Sequence, residues 1–145
     1  MEGENKKIKN ATPKEYNGIK FRSVTEVMVY KTLLLAGFTP LYEQRRFVIW
    51  EGFHPTIQFY DRDNKTHMLK LNSTKLIDTT YTPDFTFEYH GTLIIIEAKG
   101  FENDVFPLKK KMFRGVLEHL NQNAIFFEIY TKKQLLQAIE IIKKL

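Results

Sequence analysis

The apolar run Leu93-Ile94-Ile95-Ile96 follows directly on the dipeptide His90-Gly91, and together they constrain the fold more than any other stretch. A continuous apolar run is the pattern of a strand buried on both faces. A two-residue loop with Gly is a favoured hairpin connection, because Gly readily adopts a positive φ. Such a hairpin would pair Tyr89 with Thr92. Counting outward sets Asp84, in Tyr81-Thr82-Pro83-Asp84-Phe85, directly opposite Glu97, in Ile96-Glu97-Ala98-Lys99-Gly100. Opposed residues share a sheet face, with Cβ atoms about 4.5–5.5 Å apart. Two carboxylates held that close repel each other unless a proton or a cation lies between them. Lys99, two residues beyond Glu97, shares their face. Charged residues on strands most often form a solvated face. Here they end a buried strand, where a carboxylate requires partners. An Asp–Glu–Lys cluster in that position suits a divalent-metal site for phosphodiester hydrolysis.

The rest of the chain supplies elements for one sheet and its helices. Residues 1–20 are polar and carry Lys6, Lys7, Lys9, Lys14 and Lys20, with Pro13 and Gly18 against any helix. They are expected to form a flexible basic arm, either solvated or tracking phosphates. Ser23 followed by Glu26 has the capping-box spacing. The helix it starts is expected to run to about Ala36 and stop at Gly37, with Val24, Val27, Tyr30, Leu33 and Leu34 as its apolar stripe. Residues 41–50 read as a strand. Residues 51–75 read as an insertion, with Ile57–Tyr60 and Thr66–Leu71 as a small hairpin around Asp61–Asn64. Strands over about 76–89 and 92–98 follow, and Pro83 requires a place in the first where no ladder bond is needed. An amphipathic helix is expected over Phe106–Asn121 with Phe113, Val116, Leu117 and Leu120 inward. A strand over Ala124–Tyr130 follows, and then a helix over Lys132–Lys144 with Leu135, Leu136, Ile139 and Ile142 inward. This order predicts an α/β fold with one mixed sheet flanked by helices.

Lys109, Lys110, Lys111 and Arg114 load the start of the second long helix with positive charge, against the helix dipole. That placement admits a solvated face or a surface that meets DNA phosphates. Lys20 and Arg22, ahead of the first helix, join the candidate DNA contacts. The net charge of +5 is a mild pointer to a polyanionic partner. The absence of Cys excludes disulfides, thiol catalysis and cysteine-ligated zinc, and it fits a reducing compartment. With no apolar stretch near 18 residues and no hydrophobic leader, the chain is expected to be soluble, cytoplasmic and without a membrane partner. His54, His67, His90 and His119 lack metal-ligand spacing and read as surface or turn residues.

Three blocks carry a resemblance: Phe21-Arg22-Ser23-Val24-Thr25-Glu26, Tyr81-Thr82-Pro83-Asp84-Phe85 and Glu97-Ala98-Lys99-Gly100. In their order and setting they resemble the PD-(D/E)XK nuclease core, and within it the phage endonuclease I type of Holliday-junction resolvase. The likeness covers roughly residues 21–50 and 80–130. It implies a restriction-endonuclease-like domain over 21–145, interrupted at about 51–75. It implies Mg²⁺, with Mn²⁺ able to substitute, held by Asp84, Glu97, the Ala98 carbonyl and Glu26. Lys99 would orient or activate the attacking water, and Glu26 would act from the first helix rather than serve only its own cap. The implied activity is endonucleolytic cleavage of branched DNA by a homodimer, in a phage-encoded protein acting inside a bacterial host. Two alternatives stay open. One is the same chemistry on linear duplex, nicked or transposon-end DNA. The other is a catalytically inert nuclease fold that binds DNA.

Overall fold

The structure, a computed structural model, describes residues 14–100, 105–120 and 123–145. In chain order these form β1 (Lys14–Tyr16), β2 (Ile19–Phe21), α1 (Val24–Leu35), β3 (Leu41–Tyr42), β4 (Phe47–Trp50), β5 (Tyr60–Arg62) and β6 (Leu69–Leu71). They continue with β7 (Thr79–Tyr81), β8 (Phe85–Tyr89), β9 (Thr92–Ala98), α2 (Phe106–His119), β10 (Ala124–Ile129) and α3 (Lys132–Lys143).

The central hairpin closes as its residues dictate. His90 at φ 47° and Gly91 at φ 79° are both left-handed, the requirement of the hairpin turn whose twist matches its strands. The register is Tyr89 to Thr92 and Phe85 to Ile96, so Asp84 stands one step beyond the ladder, toward Glu97. On the other side β10 runs parallel to β9, with Glu128 aligned to Glu97. β3 completes a four-stranded mixed sheet in the order β10-β9-β8-β3. Every residue of β9 from Thr92 to Glu97 is buried. Ile94 and Ile96 pack with α1 and α3, and Leu93 and Ile95 with α2 and β4. The apolar run is thus the shared wall of two core layers, one on each face of the sheet.

The mixed α/β architecture agrees with the sequence, but the expected single sheet does not. Besides the four-stranded sheet, the described residues form three two-stranded ones, β1-β2, β4-β7 and β5-β6. Two backbone features cause the division. Glu43 takes a left-handed φ of 50° and breaks the strand expected over 41–50, so β3 pairs with β8 and β4 with β7. Pro83 has no N–H to give a ladder, and the strand expected over 76–89 breaks at residues 82–84.

Residues 14–20 correct the flexible-arm expectation for that stretch. They form the β1-β2 hairpin through Asn17 (φ 57°) and Gly18 (φ 76°); residues 1–13 lie outside the described part. In the insertion, the β5-β6 hairpin turns two residues later than expected, because the Asp63 side chain accepts from the N–H groups of Lys65 and Thr66. The insertion leaves many apolar side chains exposed, including Ile57, Phe59, Met68, Leu69 and Leu71. Its stem is tight. The Gly52 N–H donates to Asp78 Oδ1 at 2.8 Å, and a Cβ at Gly52 would run into the Leu76 carbonyl oxygen.

The helix faces also need correction. The inward stripe of α1 is Glu26, Val29, Tyr30 and Leu33, while Val24 is exposed. α2 stops at His119 and leaves Leu120 outside, where Asn121 and an inward Leu120 were expected. In α3 the inward set is Leu135, Ala138, Ile139 and Ile142, one face at helical spacing, and Leu136 falls off it.

Candidate functional site

Glu26 sits on the core stripe of α1, in register with Val29, Tyr30 and Leu33. That spacing decides its direction. The Glu26 N–H donates to the Ser23 hydroxyl, one half of a capping box. The reciprocal half is replaced: the Glu26 carboxylate turns inward and accepts from the Tyr42 hydroxyl at 2.6 Å and from the Arg22 N–H at 3.1 Å. Only 6% of Glu26 is exposed, so this carboxylate lies at the end of the sheet rather than in solvent.

Asp84 and Glu97 come together as the hairpin count requires, at 2% and 6% exposure. Their meeting is mediated. The Asp84 N–H donates to Glu97 Oε2 at 3.2 Å, and the Tyr81 hydroxyl donates to the same oxygen at 2.8 Å. Lys99 Nζ stands 3.1 Å from Glu97 Oε1 and 4.0 Å from the centre of the Phe106 ring. Asp84 Oδ2 accepts the Ala98 N–H at 2.8 Å, so the visible contribution of Ala98 is its N–H. Asp84 Oδ1 lies 3.0 Å from the guanidinium of Arg22, which also reaches Glu43 at 2.6 Å and Glu26 at 3.7 Å.

The electrostatic balance is negative. Burial pushes the Asp84 carboxyl up to about 8, and the charges of Glu97 and Glu26 add to the effect. The Ala98 N–H and Arg22 pull the other way without compensating. Burial and then Glu97 push the Tyr81 hydroxyl far above its ordinary value, and burial and Glu26 do the same to Tyr42, so both act as neutral donors. Glu128, aligned with Glu97 on the neighbouring strand, is different. Hydrogen bonds from Lys110 and Tyr130 outweigh its partial burial and hold it below the usual carboxylate range.

A cleft of about 210 Å³ opens beside these groups, lined by Arg22, Thr82, Glu97, Lys99, Phe106 and Lys109 among others. Three of those carry positive charge, which suits an anionic ligand next to buried carboxylates. The basic helix start divides. Lys110 is bound to Glu128 at 2.8 Å and Lys109 reaches the Thr80 carbonyl at 3.4 Å, whereas Lys111 and Arg114 are exposed. Lys20 is exposed on β2, and the four histidines are all exposed.

Among the described residues, no three His, Asp or Glu side chains stand together as a ready metal cage. At the expected place the Arg22 guanidinium pairs with both Glu26 and Asp84. The donor chemistry nevertheless fits a hard divalent cation. Oxygen ligands are the ones such ions take, and the buried carboxylates exceed the cations facing them, as the raised Asp84 carboxyl records.

Tyr42, Tyr81 and Glu128 are absent from the sequence-based site. Each reaches it through pairing or packing that local pattern does not encode. Compared with family models, curated proteins and solved structures, the chain finds no match.

Proposed function

We propose that the chain is a divalent-metal-dependent endonuclease of the PD-(D/E)XK kind, acting on branched DNA. The observation that supports this reading is the buried Asp84–Glu97 pair with Lys99 beside it, at the edge of a basic cleft. Asp84 and Glu97 would hold the cation, with Glu26 approaching from α1. When bound, such a cation supplies Lewis-acid polarisation of a phosphate oxygen and acidifies a water.

The remaining steps belong to the chain's own groups. Glu97 is fixed by Tyr81 and by the Asp84 N–H, so its second oxygen keeps a set direction. Lys99 is held between Glu97 and the face of Phe106, where an ammonium gains from the ring quadrupole. From there its charge faces the cleft. It orients an attacking water and offsets the negative charge that grows on the phosphoryl oxygens. Two cuts across a four-way junction need two such sites, so the working unit is a two-fold homodimer. The exposed apolar side chains of the insertion supply a surface for it.

Cleavage of a four-way junction beside a linear duplex of the same sequence, with Mg²⁺ or with chelator, tests the proposal. Metal-dependent junction cleavage that is lost in Asp84→Asn supports it. Full cleavage in chelator, or wild-type activity in Asp84→Asn, refutes the metal chemistry. Equal cleavage of the linear duplex, or a monomer on junction DNA in sedimentation, refutes the junction substrate.

A further inference from the structure

We infer that Arg22 is a displaceable countercation. In the metal-free protein its guanidinium pairs with Glu26 and Asp84, carboxylates that would hold or approach a divalent cation, and it yields them when the cation binds. The inference rests on the divalent-metal reading above.

Contact geometry is the first ground. One guanidinium reaches carboxylates from three separate segments, Glu26 on α1, Glu43 after β3 and Asp84 before β8. Glu26 belongs to the helix that packs one face of the sheet, and Glu97, to which Asp84 is bonded, follows Ile95 of the other face. Arg22 therefore closes the sheet end from one layer to the other, across carboxylates that would face the cation.

The second ground is an asymmetry of exposure. The Arg22 side chain is 64% exposed, while those of Glu26 and Asp84 are at 7% and 2%. The carboxylates are also held by bonds that do not involve the guanidinium, from Tyr42 to Glu26 and from Ala98 to Asp84. The cation can leave and the ligands stay. A displaced guanidinium remains on the rim of the cleft that Arg22 already lines, where its planar fork suits a phosphodiester.

The third ground is charge. One guanidinium brings a single positive charge to three carboxylates, Glu26, Glu43 and Asp84. Exchanging it for a doubly charged ion relieves that excess.

Two measurements test this. In the wild-type chain, ¹⁵N NMR of the arginine side chains should show the Arg22 Nε resonance move toward that of a solvated arginine as Mg²⁺ is added. In Arg22→Met, Mn²⁺ titration followed by electron paramagnetic resonance should show binding about tenfold tighter than wild type, within the usual span of coupling between two competing ligands. An Arg22 Nε signal that stays put while Mg²⁺ binds overturns the inference and leaves the metal reading standing. Unchanged or weaker Mn²⁺ binding in a folded Arg22→Met does the same. Absence of Mn²⁺ binding in both proteins overturns both readings. Should Arg22→Met fail to fold, the wild-type NMR titration decides alone.

Discussion

Asp84→Asn should stabilise the metal-free protein, and the gain should grow with pH. The folded-state carboxyl is raised from 3.8 to about 8. A group whose folded pKa lies above its unfolded one contributes stability fully present below 3.8 and lost as pH rises through about 8. Each proton that the folded state holds in excess is worth about 1.4 kcal/mol per pH unit. Between pH 5 and pH 8 the linkage integrates to about 4 kcal/mol, all of it lost by the wild type and none by the variant. The amide keeps an oxygen for the Ala98 N–H, and the pull of Arg22 is already contained in the raised carboxyl. The gain at pH 8 is then about 4 kcal/mol, or roughly 8–16 °C in midpoint for a domain of this size. Urea unfolding in chelator at pH 5, 6.5 and 8 measures it. Mg²⁺ should narrow the gap, because an ion at about a hundred times its Kd stabilises the wild type by about 2.7 kcal/mol and the variant far less. A variant less stable than wild type at pH 8 in chelator, or one stabilised equally by Mg²⁺, would refute the claim that Asp84 carries uncompensated charge.

Lys99→Ala should lower the single-turnover cleavage rate by at least about 10²-fold, the scale for losing a positioned charge, with DNA affinity little changed. A tenfold loss of affinity at an unchanged rate would make Lys99 a phosphate anchor instead. Replacing exposed Lys111 and Arg114 with Ala should flatten the dependence of log Kd on log salt by just under one unit for each phosphate no longer neutralised. The same change at Lys110 should instead lower stability, since it removes the partner of Glu128; an unaltered salt slope in the first case returns the cluster to a solvated face. Gly52→Ala should cost about 2 kcal/mol or more, because its Cβ meets backbone rather than a yielding side chain. Urea unfolding that matches wild type would show that the stem of the insertion relaxes freely.

Local rules carried the central hairpin, the spans of the three helices and the strand β10, but not the division into several sheets. His90-Gly91 fixes a turn, the turn fixes a register, and the register brings Asp84 to Glu97 without any long-range knowledge. Glu26 was placed in the site through the resemblance, because the stripe read from the sequence left out Val29 and with it the inward face that Glu26 shares. Asn17-Gly18 carries the same hairpin signal as His90-Gly91, and the lysines around it masked it. What was not legible depends on which strand meets which. Glu128 joins the row of carboxylates through a parallel pairing across α2, and Tyr42 through the short β3-β8 contact. Arg22 reads as a surface cation ahead of a helix; only the three carboxylates that converge on it make it a bridge.

The residues that join β7 to β8 have a mechanical consequence. Tyr81 ends β7 and Asp84 immediately precedes β8, strands of different sheets, and both donate to one oxygen of Glu97. Glu97 is therefore the rivet between the main sheet and the β4-β7 ribbon. That ribbon is also the stem from which the insertion stands out, clamped at Gly52 and Asp78. Any load on the insertion, such as a partner seated on its apolar side chains, is transmitted down the ribbon through Tyr81 and arrives as a torque on the Glu97 carboxylate.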